Sequence, residues 1–409
     1  MIKNFKLISL FFLYLGIVLF PFQNLSLSLY KSNYDYAAFA LALFCISIHF
    51  SYNKNKNIIS IDNNFLIFSA FFITLNTIIW IIFDTPFYRF LSGTLWSFGL
   101  FSIIIFRKKI EINFYHTFII LIISIFISSI FAFNDYFIKG IPRPQAYFDE
   151  PSFAGLIYFS TSMAFFGCFL SGVFKKPYSL FLVIFFLYFL YLGILTKSLH
   201  LFSFFISLLL FVCFNKRLIF ILLLYLVPFL LIILYALYVF NFNFNSIYYH
   251  IYSRFNLNEL NLSTYTWLYG AEQAFEVISS SPVFGFGLGS TGHFDFVSYS
   301  NDILFSIGRP DQNRYDSYSL FFRLIIEVGL FFTLLIIFVI LNLYKKIYEG
   351  LNSLSKKESF SVLFMRFFST TAFIGLLIKE PVYSFSITYL GIIFFAISFS
   401  KISISSKES

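Results

Sequence analysis

Long runs of hydrophobic residues separated by short polar segments repeat along the whole chain. Each run has about 17 to 25 residues, and an α-helix of that length crosses a hydrocarbon core of roughly 30 Å. The pattern predicts an all-α polytopic membrane protein with about twelve transmembrane helices, within a range of 11–13. The predicted spans are residues 5–22, 34–50, 65–83, 87–106, 114–133, 151–173, 178–195, 198–214, 218–240, 320–344, 360–378 and 382–400.

Two polar segments interrupt this pattern, a large one at residues 241–319 and a smaller one at 134–150. Hydrocarbon cannot satisfy their polar groups, so both are expected to be loops in water beside the bilayer. The whole chain, 1–409, is expected to form a single integral membrane domain. Its expected parts are a five-helix part, 1–133, a central part with both loops, 134–345, and a two-helix part, 346–409.

Lysine and arginine are concentrated in alternate loops and at the termini, which hold 17 of the 28 basic residues. Basic residues favour the cytoplasmic side, so both termini are predicted to be cytoplasmic and both polar loops to lie outside. The net charge of +9 therefore reflects orientation in the membrane, and no nucleic-acid partner is expected. The first apolar run lacks a small-x-small cleavage site and is predicted to be a transmembrane helix.

The smaller loop places Arg143 between two prolines and ends in Asp149 and Glu150, just before Pro151. Proline suits the first turn of a helix, and a carboxylate before it can cap the exposed amides. The alternative is that the outward carboxylate and Arg143 form one wall of a site for an anionic lipid headgroup.

The large loop contributes three further arginines, Arg254, Arg309 and Arg314. An exposed arginine is most often solvated or in a weak surface pair. The guanidinium group is nevertheless well suited to binding a phosphate through two hydrogen bonds. An enzyme outside the cytoplasm has no ATP, so it needs a substrate that is already activated, and a lipid-linked diphosphate sugar meets that requirement.

The remaining motifs carry less chemical information. Gly285, Gly287 and Gly289 permit tight turns and close approach, but no strand precedes them, so a nucleotide site is not predicted. His293 and His200 are the outward histidines that could act as a general base, and a structural role is the alternative. Metal-ligand spacings are missing on the outer side, so no metal and no cofactor are expected.

Four segments of the central part match, in order, motifs of a known family. In the first, Arg143 precedes Phe148-Asp149-Glu150-Pro151-Ser152, which is similar to an arginine followed by F-x-E-P-S. The second segment is Leu195-Thr196-Lys197-Ser198. The third combines Trp267 and Ala271 with Ser281-Pro282-Val283-Phe284-Gly285-Phe286-Gly287-Leu288-Gly289. The fourth is Tyr318-Ser319 with Glu327 and Gly329. Together they resemble the O-antigen polymerase (Wzy) family and its relative, the O-antigen ligase. The resemblance covers about residues 140–345.

The resemblance implies a glycosyltransferase of GT-C-like architecture in the bacterial inner membrane. It would join oligosaccharide repeat units carried on polyprenyl (undecaprenyl) diphosphate at the periplasmic face, as in lipopolysaccharide biosynthesis. A flippase and a polysaccharide co-polymerase that regulates chain length are the implied protein partners. The implied catalytic residues are Glu150, Arg143 and Arg309; the diphosphate-binding residues are Arg143, Arg254, Arg309 and Arg314; the sugar-binding residues are Tyr147, Tyr315, Tyr318 and His293.

Two positions depart from the family pattern. Leu199 stands where an arginine is expected, and Tyr318 stands where the ligase has its histidine. A tyrosine is a poor general base near neutral pH because its ordinary pKa is about 10. The sequence therefore favours polymerase over ligase activity. Two alternatives remain. One is a lipid-linked oligosaccharide flippase, although it predicts internal repeats and polar or broken helices near the bilayer midplane. The other is a polymerase for a capsule or enterobacterial-type surface glycan, whose chemistry would be the same.

Overall fold

A computed structural model describes most of the chain. The described residues are 2–22, 35–53, 58–83, 85–106, 112–146, 148, 150–172, 178–214, 262–312, 314–315, 317–354, 360–379 and 386–400. The predicted span 218–240 and residues 241–261 of the large loop lie outside this set. So do the predicted site residues Tyr147 and Arg254.

The described part of the chain contains thirteen α-helices and one two-stranded sheet. The helices are α1 (Ile2–Leu19), α2 (Tyr36–Ser47), α3 (Asn63–Phe83), α4 (Phe87–Ile105), α5 (Phe114–Phe133), α6 (Pro151–Leu170), α7 (Tyr178–Leu195), α8 (His200–Phe214), α9 (Leu262–Ser280), α10 (Tyr299–Ser306), α11 (Leu320–Leu354), α12 (Phe360–Ile378) and α13 (Ser386–Ser400). A 3-10 turn, Phe20–Phe22, follows α1, and a π-helical turn, Asn134–Ile138, follows α5.

Eleven of the twelve predicted spans coincide with helices, and the twelfth lies outside the described residues. Six of the described helices are long and apolar enough to cross a membrane, and several shorter helices are also apolar. The chain is therefore a multi-pass helical membrane protein. The number of twelve spans stays a prediction.

Two local features were not predicted from the sequence. Strand β1 (Phe50–Asn53) pairs antiparallel with β2 (Ile58–Ile61), between the helices of the predicted spans 34–50 and 65–83. Helix α11 is interrupted at Gly329, whose φ of 85° and ψ of 161° are not helical. That region of backbone space is open essentially only to glycine. A hydrophobic pattern cannot reveal either feature, because both depend on backbone geometry.

The core is built around α6 and α12, whose side chains are buried along almost their whole length. Helix α6 packs against α7 and α12. The close approach of α6 to α12 depends on Gly167, where a Cβ atom would overlap the ring of Phe367. Helix α6 begins at Pro151, the first-turn position that the fixed φ of proline favours. A buried, rigid helix thus presents Glu150 at one end of the bundle.

Loops that the charge pattern assigned to one side of the membrane meet each other at that end. Arg143 reaches the turn between α7 and α8, and Lys379 reaches Glu150. Asp35, at the start of α2, accepts a hydrogen bond from the backbone of Ser386. We call this end the loop face. Among the described residues it is formed by 134–146, 148, 150, 196–199, 281–312, 314–315, 317–319 and 379 and by the starts of α2 and α4.

Candidate functional site

Four charged or aromatic side chains from three separate loops meet on the loop face. We call Arg143, Glu150, Tyr318 and Lys379 the Arg143 cluster. Lys379 Nζ lies 3.5 Å from Glu150 Oε2 and 5.5 Å from the centroid of the Tyr318 ring. Burial lowers the pKa of Arg143, while electrostatic interaction with Glu150 and, after it, with Tyr318 acts to raise it. Lys379 thus pairs with the Glu150 carboxylate, and the charge of that carboxylate also acts on Arg143, so the cluster offers cations for an anion and a nearby proton acceptor.

Glu150 occupies the N-cap position of α6, but its side chain makes no capping hydrogen bond to the backbone. The capping interpretation is therefore wrong for Glu150, and Asp149 lies outside the described residues. Instead, Glu150 Oε2 accepts a hydrogen bond of 2.8 Å from Ser152 Oγ and faces Lys379. The carboxylate is 57% exposed, so it is fixed in direction and open to a ligand.

Arg143 is positioned by a buried carboxylate beneath its loop. Asp135, in the π-helical turn after α5, is 4% exposed and accepts hydrogen bonds from Lys139 Nζ at 2.8 Å and from the backbone N–H of Ala146 at 2.9 Å. These contacts hold the loop on both sides of Arg143. The guanidinium then donates from Nε to the carbonyl oxygen of Thr196 at 3.1 Å. That carbonyl belongs to the turn between α7 and α8.

Tyr318 is held by an unusual backbone segment. Ser317 and Tyr318 both have a positive φ, 56° and 60°, which residues with side chains rarely adopt. Helix α9 packs directly on this segment, because a Cβ atom on Gly270 would overlap the carbonyl oxygen of Ser317. Backbone strain of this kind persists only where surrounding contacts impose it, and it is common at binding sites. The Tyr318 side chain is consequently fixed at 6% exposure.

A second group lies next to the first. We call Arg89, His293, Arg314 and Tyr315 the Arg89 cluster. The Arg89 guanidinium carbon lies 4.9 Å from the centroid of the Tyr315 ring, and the His293 ring centroid lies 4.8 Å from the same ring. Burial, and after it the charges of Arg89 and Arg314, lowers the pKa of His293. His293 is therefore neutral near pH 7.

The guanidinium of Arg314 is engaged in holding its own loop. Its Nε donates to the carbonyl oxygen of Gly292 at 2.7 Å and one terminal nitrogen donates to that of Phe294 at 3.3 Å. The other terminal nitrogen lies 3.2 Å from an Asp311 oxygen. Arg314 fastens the loop after the glycine-rich segment, and its predicted role in binding diphosphate stays a prediction.

Arg309 lies just after α10 and is exposed. Its backbone N–H donates to the carbonyl oxygen of Leu304. Among the described residues its side chain makes no hydrogen bond or ion pair. The structure joins it to neither cluster, and its predicted catalytic role stays untested.

The glycine-rich segment, residues 285–289, forms a wedge between α4 and α11. The backbone N–H groups of Phe286 and Gly287 donate to the carbonyl oxygens of Ile326 and Glu327, just before the break in α11. At the other end of the segment, a Cβ atom on Gly289 would overlap the carbonyl oxygen of Arg89. The glycines therefore permit backbone-to-backbone packing, and one consequence is that the start of α4 is fixed beside the large loop.

A buried ion pair lies beneath the wedge. Arg323 Nε and Glu327 Oε1 are 3.0 Å apart, as expected for residues four apart on one helix face. Thr291 Oγ1 donates to the same carboxylate oxygen at 3.1 Å. The hydrogen bond from Thr291 ties the large loop to α11.

The structure brings together most of the described candidates. Arg143, Glu150 and Tyr318 share one cluster, and His293, Arg314 and Tyr315 share the other. His200 is fully buried at the start of α8, which does not suit an outward general base.

Sequence reasoning missed Lys379 and Arg89 as site residues. Lys379 begins a Lys-Glu-Pro sequence that resembles Asp149-Glu150-Pro151, a signal that could have identified it. Arg89 carried no comparable signal, since only the fold brings the start of α4 to the large loop.

A scan against protein-family models finds no match, and a search of curated proteins finds no relative. What the site can do is therefore argued from its own chemistry. It offers cations for an anionic group, an oriented carboxylate for a proton and aromatic rings for a sugar face.

Proposed function

We propose that this protein is a polysaccharide polymerase of the O-antigen type. It would join lipid-linked oligosaccharide repeat units at the outer face of the bacterial inner membrane. The observation that carries the proposal is the Arg143 cluster on the loop face, in which Lys379 pairs with an exposed Glu150 and the charge of Glu150 also acts on Arg143.

The reaction is a glycosyl transfer that needs no ATP. A hydroxyl of the acceptor sugar forms a bond to the anomeric carbon of the donor, and the bond from that carbon to the diphosphate oxygen breaks. Polyprenyl diphosphate leaves with the bonding electrons, and the hydroxyl proton passes to a base. Negative charge grows on the leaving diphosphate, so preorganised cations lower the barrier.

Each member of the cluster has a role in this reaction. Arg143 and Lys379 bind the diphosphate oxygens and stabilise the departing charge. Glu150, with one oxygen held by Ser152, accepts the proton of the attacking hydroxyl. Tyr318 supports Lys379 through its ring and lines the sugar path. Tyr147, Arg254 and Arg309 remain predicted contributors.

The principal alternative is the ligase reaction, in which finished glycan is transferred to lipid A core. Tyr318 stands where that reaction uses histidine. This tyrosine argues against the ligase because a phenol is a poor general base at neutral pH.

Deletion of the gene in its host separates the candidate functions. Loss of a polymerase leaves core that carries a single repeat unit on a lipopolysaccharide gel. Loss of a ligase or of a flippase leaves bare core instead, and either result would reject the proposal. Complementation with Arg143→Gln should fail to restore long chains, whereas Arg107→Gln, in a loop predicted for the opposite side, should restore them.

A further inference from the structure

Arg89 is a partly buried cation on the loop face, and the described residues supply no counter-ion for its guanidinium group. Its side chain is half-buried, and its guanidinium carbon lies 5.3 Å from the centroid of the Tyr88 ring and 4.9 Å from that of Tyr315. Its Nε atom is buried without a hydrogen-bond partner among the described residues. A partly buried charge without a partner is unfavourable unless an anion completes it.

The neighbouring groups make the same position attractive to an anion. The carboxylates of Asp311 and Asp295 both lie next to Arg314, at 3.2 and 3.9 Å, so they neutralise that arginine. The Nε2 atom of His293 is also buried and lacks a hydrogen-bond partner in the described part of the chain. One guanidinium and one imidazole nitrogen are thus available for oxygen atoms.

The backbone keeps Arg89 in this place. The carbonyl of Arg89 packs against Gly289, and Gly93 of the same helix packs against the Gly289 backbone. A side chain at either glycine would push α4 away from the large loop. The position of the cation is therefore built into the fold.

We infer that Arg89, His293 and Tyr315 form a second anion site, which binds the diphosphate of a second lipid-linked substrate. The guanidinium group suits this ligand, because stacking on an aromatic face leaves its N–H edges for two phosphate oxygens. The inference rests on the proposed function, since a polymerase of this kind holds two lipid diphosphates at once. The Arg143 cluster binds one and the Arg89 cluster binds the other.

A short stretch of chain joins the two clusters. Tyr315 belongs to the Arg89 cluster and Tyr318 to the Arg143 cluster. Three residues of extended chain span at most about 11 Å between their Cα atoms. At the Arg143-cluster end of this stretch, Ser317 and Tyr318 both have a positive φ.

Equilibrium binding to the purified full-length protein tests the inference. The ligand is a short-chain prenyl diphosphate, measured by titration calorimetry in detergent. Wild type should bind two equivalents, whereas Arg89→Gln and Arg143→Gln should each weaken one equivalent by at least about tenfold. Arg107→Gln, the matched control, should bind two equivalents as wild type does. Arg89→Lys keeps the charge and serves as the variant of choice if Arg89→Gln does not fold.

Inorganic diphosphate distinguishes a lipid site from a site for the free anion. We expect it to bind at least about tenfold more weakly than the prenyl form, because it lacks the apolar chain. Equal affinity would overturn the assignment to a lipid substrate. A wild type that binds one equivalent, or folded Arg89 variants that bind two with unchanged affinity, would overturn the second site.

A polymerisation assay on the same samples separates this inference from the proposed function. If wild type makes long chains while binding one equivalent, the second site is wrong and the function stands. If wild type binds two equivalents and makes no chains, while Arg89→Gln binds only one, the second site stands and the proposed function is wrong.

Discussion

At the scale of single residues, the central feature is a carboxylate that is oriented by protein contacts and still open to solvent. Ser152 donates a hydrogen bond to Glu150, and Lys379 lies beside it. A residue that served only to cap α6 would direct its oxygens at backbone amides, which Glu150 does not do. The contacts of Glu150 therefore fit the task of receiving a proton from a bound sugar.

The substitution Glu150→Gln tests that role. It removes the negative charge and the proton acceptor while keeping the shape of the side chain. We expect the rate of chain elongation to fall by about 10²- to 10⁴-fold, with unchanged protein abundance in the membrane. Glu276→Gln makes the same chemical change at an exposed position of α9 and should leave the rate as it is. Normal elongation by Glu150→Gln would exclude the carboxylate as the base.

His293 provides a prediction about pH. Burial and the charges of Arg89 and Arg314 lower its pKa in the folded protein, so the folded state disfavours protonation. Its contribution to stability is complete above the pKa of the unfolded chain, about 6.5, and is lost as the pH falls from there through the folded-state pKa. His293→Gln should therefore lose less thermal stability than wild type between pH 7.5 and 5. Identical losses would contradict the lowered pKa.

At the scale of elements, the helices could be predicted from the sequence but their junctions could not. Runs of apolar residues set the bounds of α5, α7 and α12 to the residue, because length and hydropathy decide where a helix leaves the membrane. The break at Gly329 depends on its contact with Val283, far away in the chain. Apolar runs of this kind contain no information about such contacts.

The break in α11 can be tested with matched glycine substitutions. At Gly329 an added Cβ would overlap the carbonyl oxygen of Val283, whereas at Gly172, also at positive φ, no atom lies within 4 Å. Gly172→Ala should lower the free energy of unfolding only through backbone strain, by about 1–2 kcal/mol. Gly329→Ala should lower the unfolding temperature more and displace the glycine-rich wedge. Equal shifts in the two variants would show that the close packing is unimportant.

At the scale of the whole molecule, the fold gathers loops that are distant in the sequence. The contacts between residues 143 and 196, 150 and 379, and 89 and 289 all join loops that the charge pattern assigned to one side. Charge alternation could predict which loops share a side. It could not predict that Lys379 would reach Glu150, since that contact depends on how α6 and α12 pack.

Membrane orientation is tested with fused reporters. An alkaline phosphatase joined after Gly287 should be active, because the large loop is predicted to lie outside. The same enzyme joined after Lys176 should be inactive, since that loop is predicted to be cytoplasmic. The reverse pattern would put the Arg143 cluster on the side where lipid-linked repeat units are not presented.

The most direct test supplies the purified full-length protein with one defined polyprenyl-diphosphate-linked repeat unit and nothing else. We predict glycans of increasing length on the lipid carrier, release of free polyprenyl diphosphate in step with each linkage, and loss of both in Arg143→Gln. A folded wild-type protein that leaves the repeat unit as a monomer, or an Arg143→Gln variant as active as wild type, would contradict the assignment of the Arg143 cluster to glycan polymerisation.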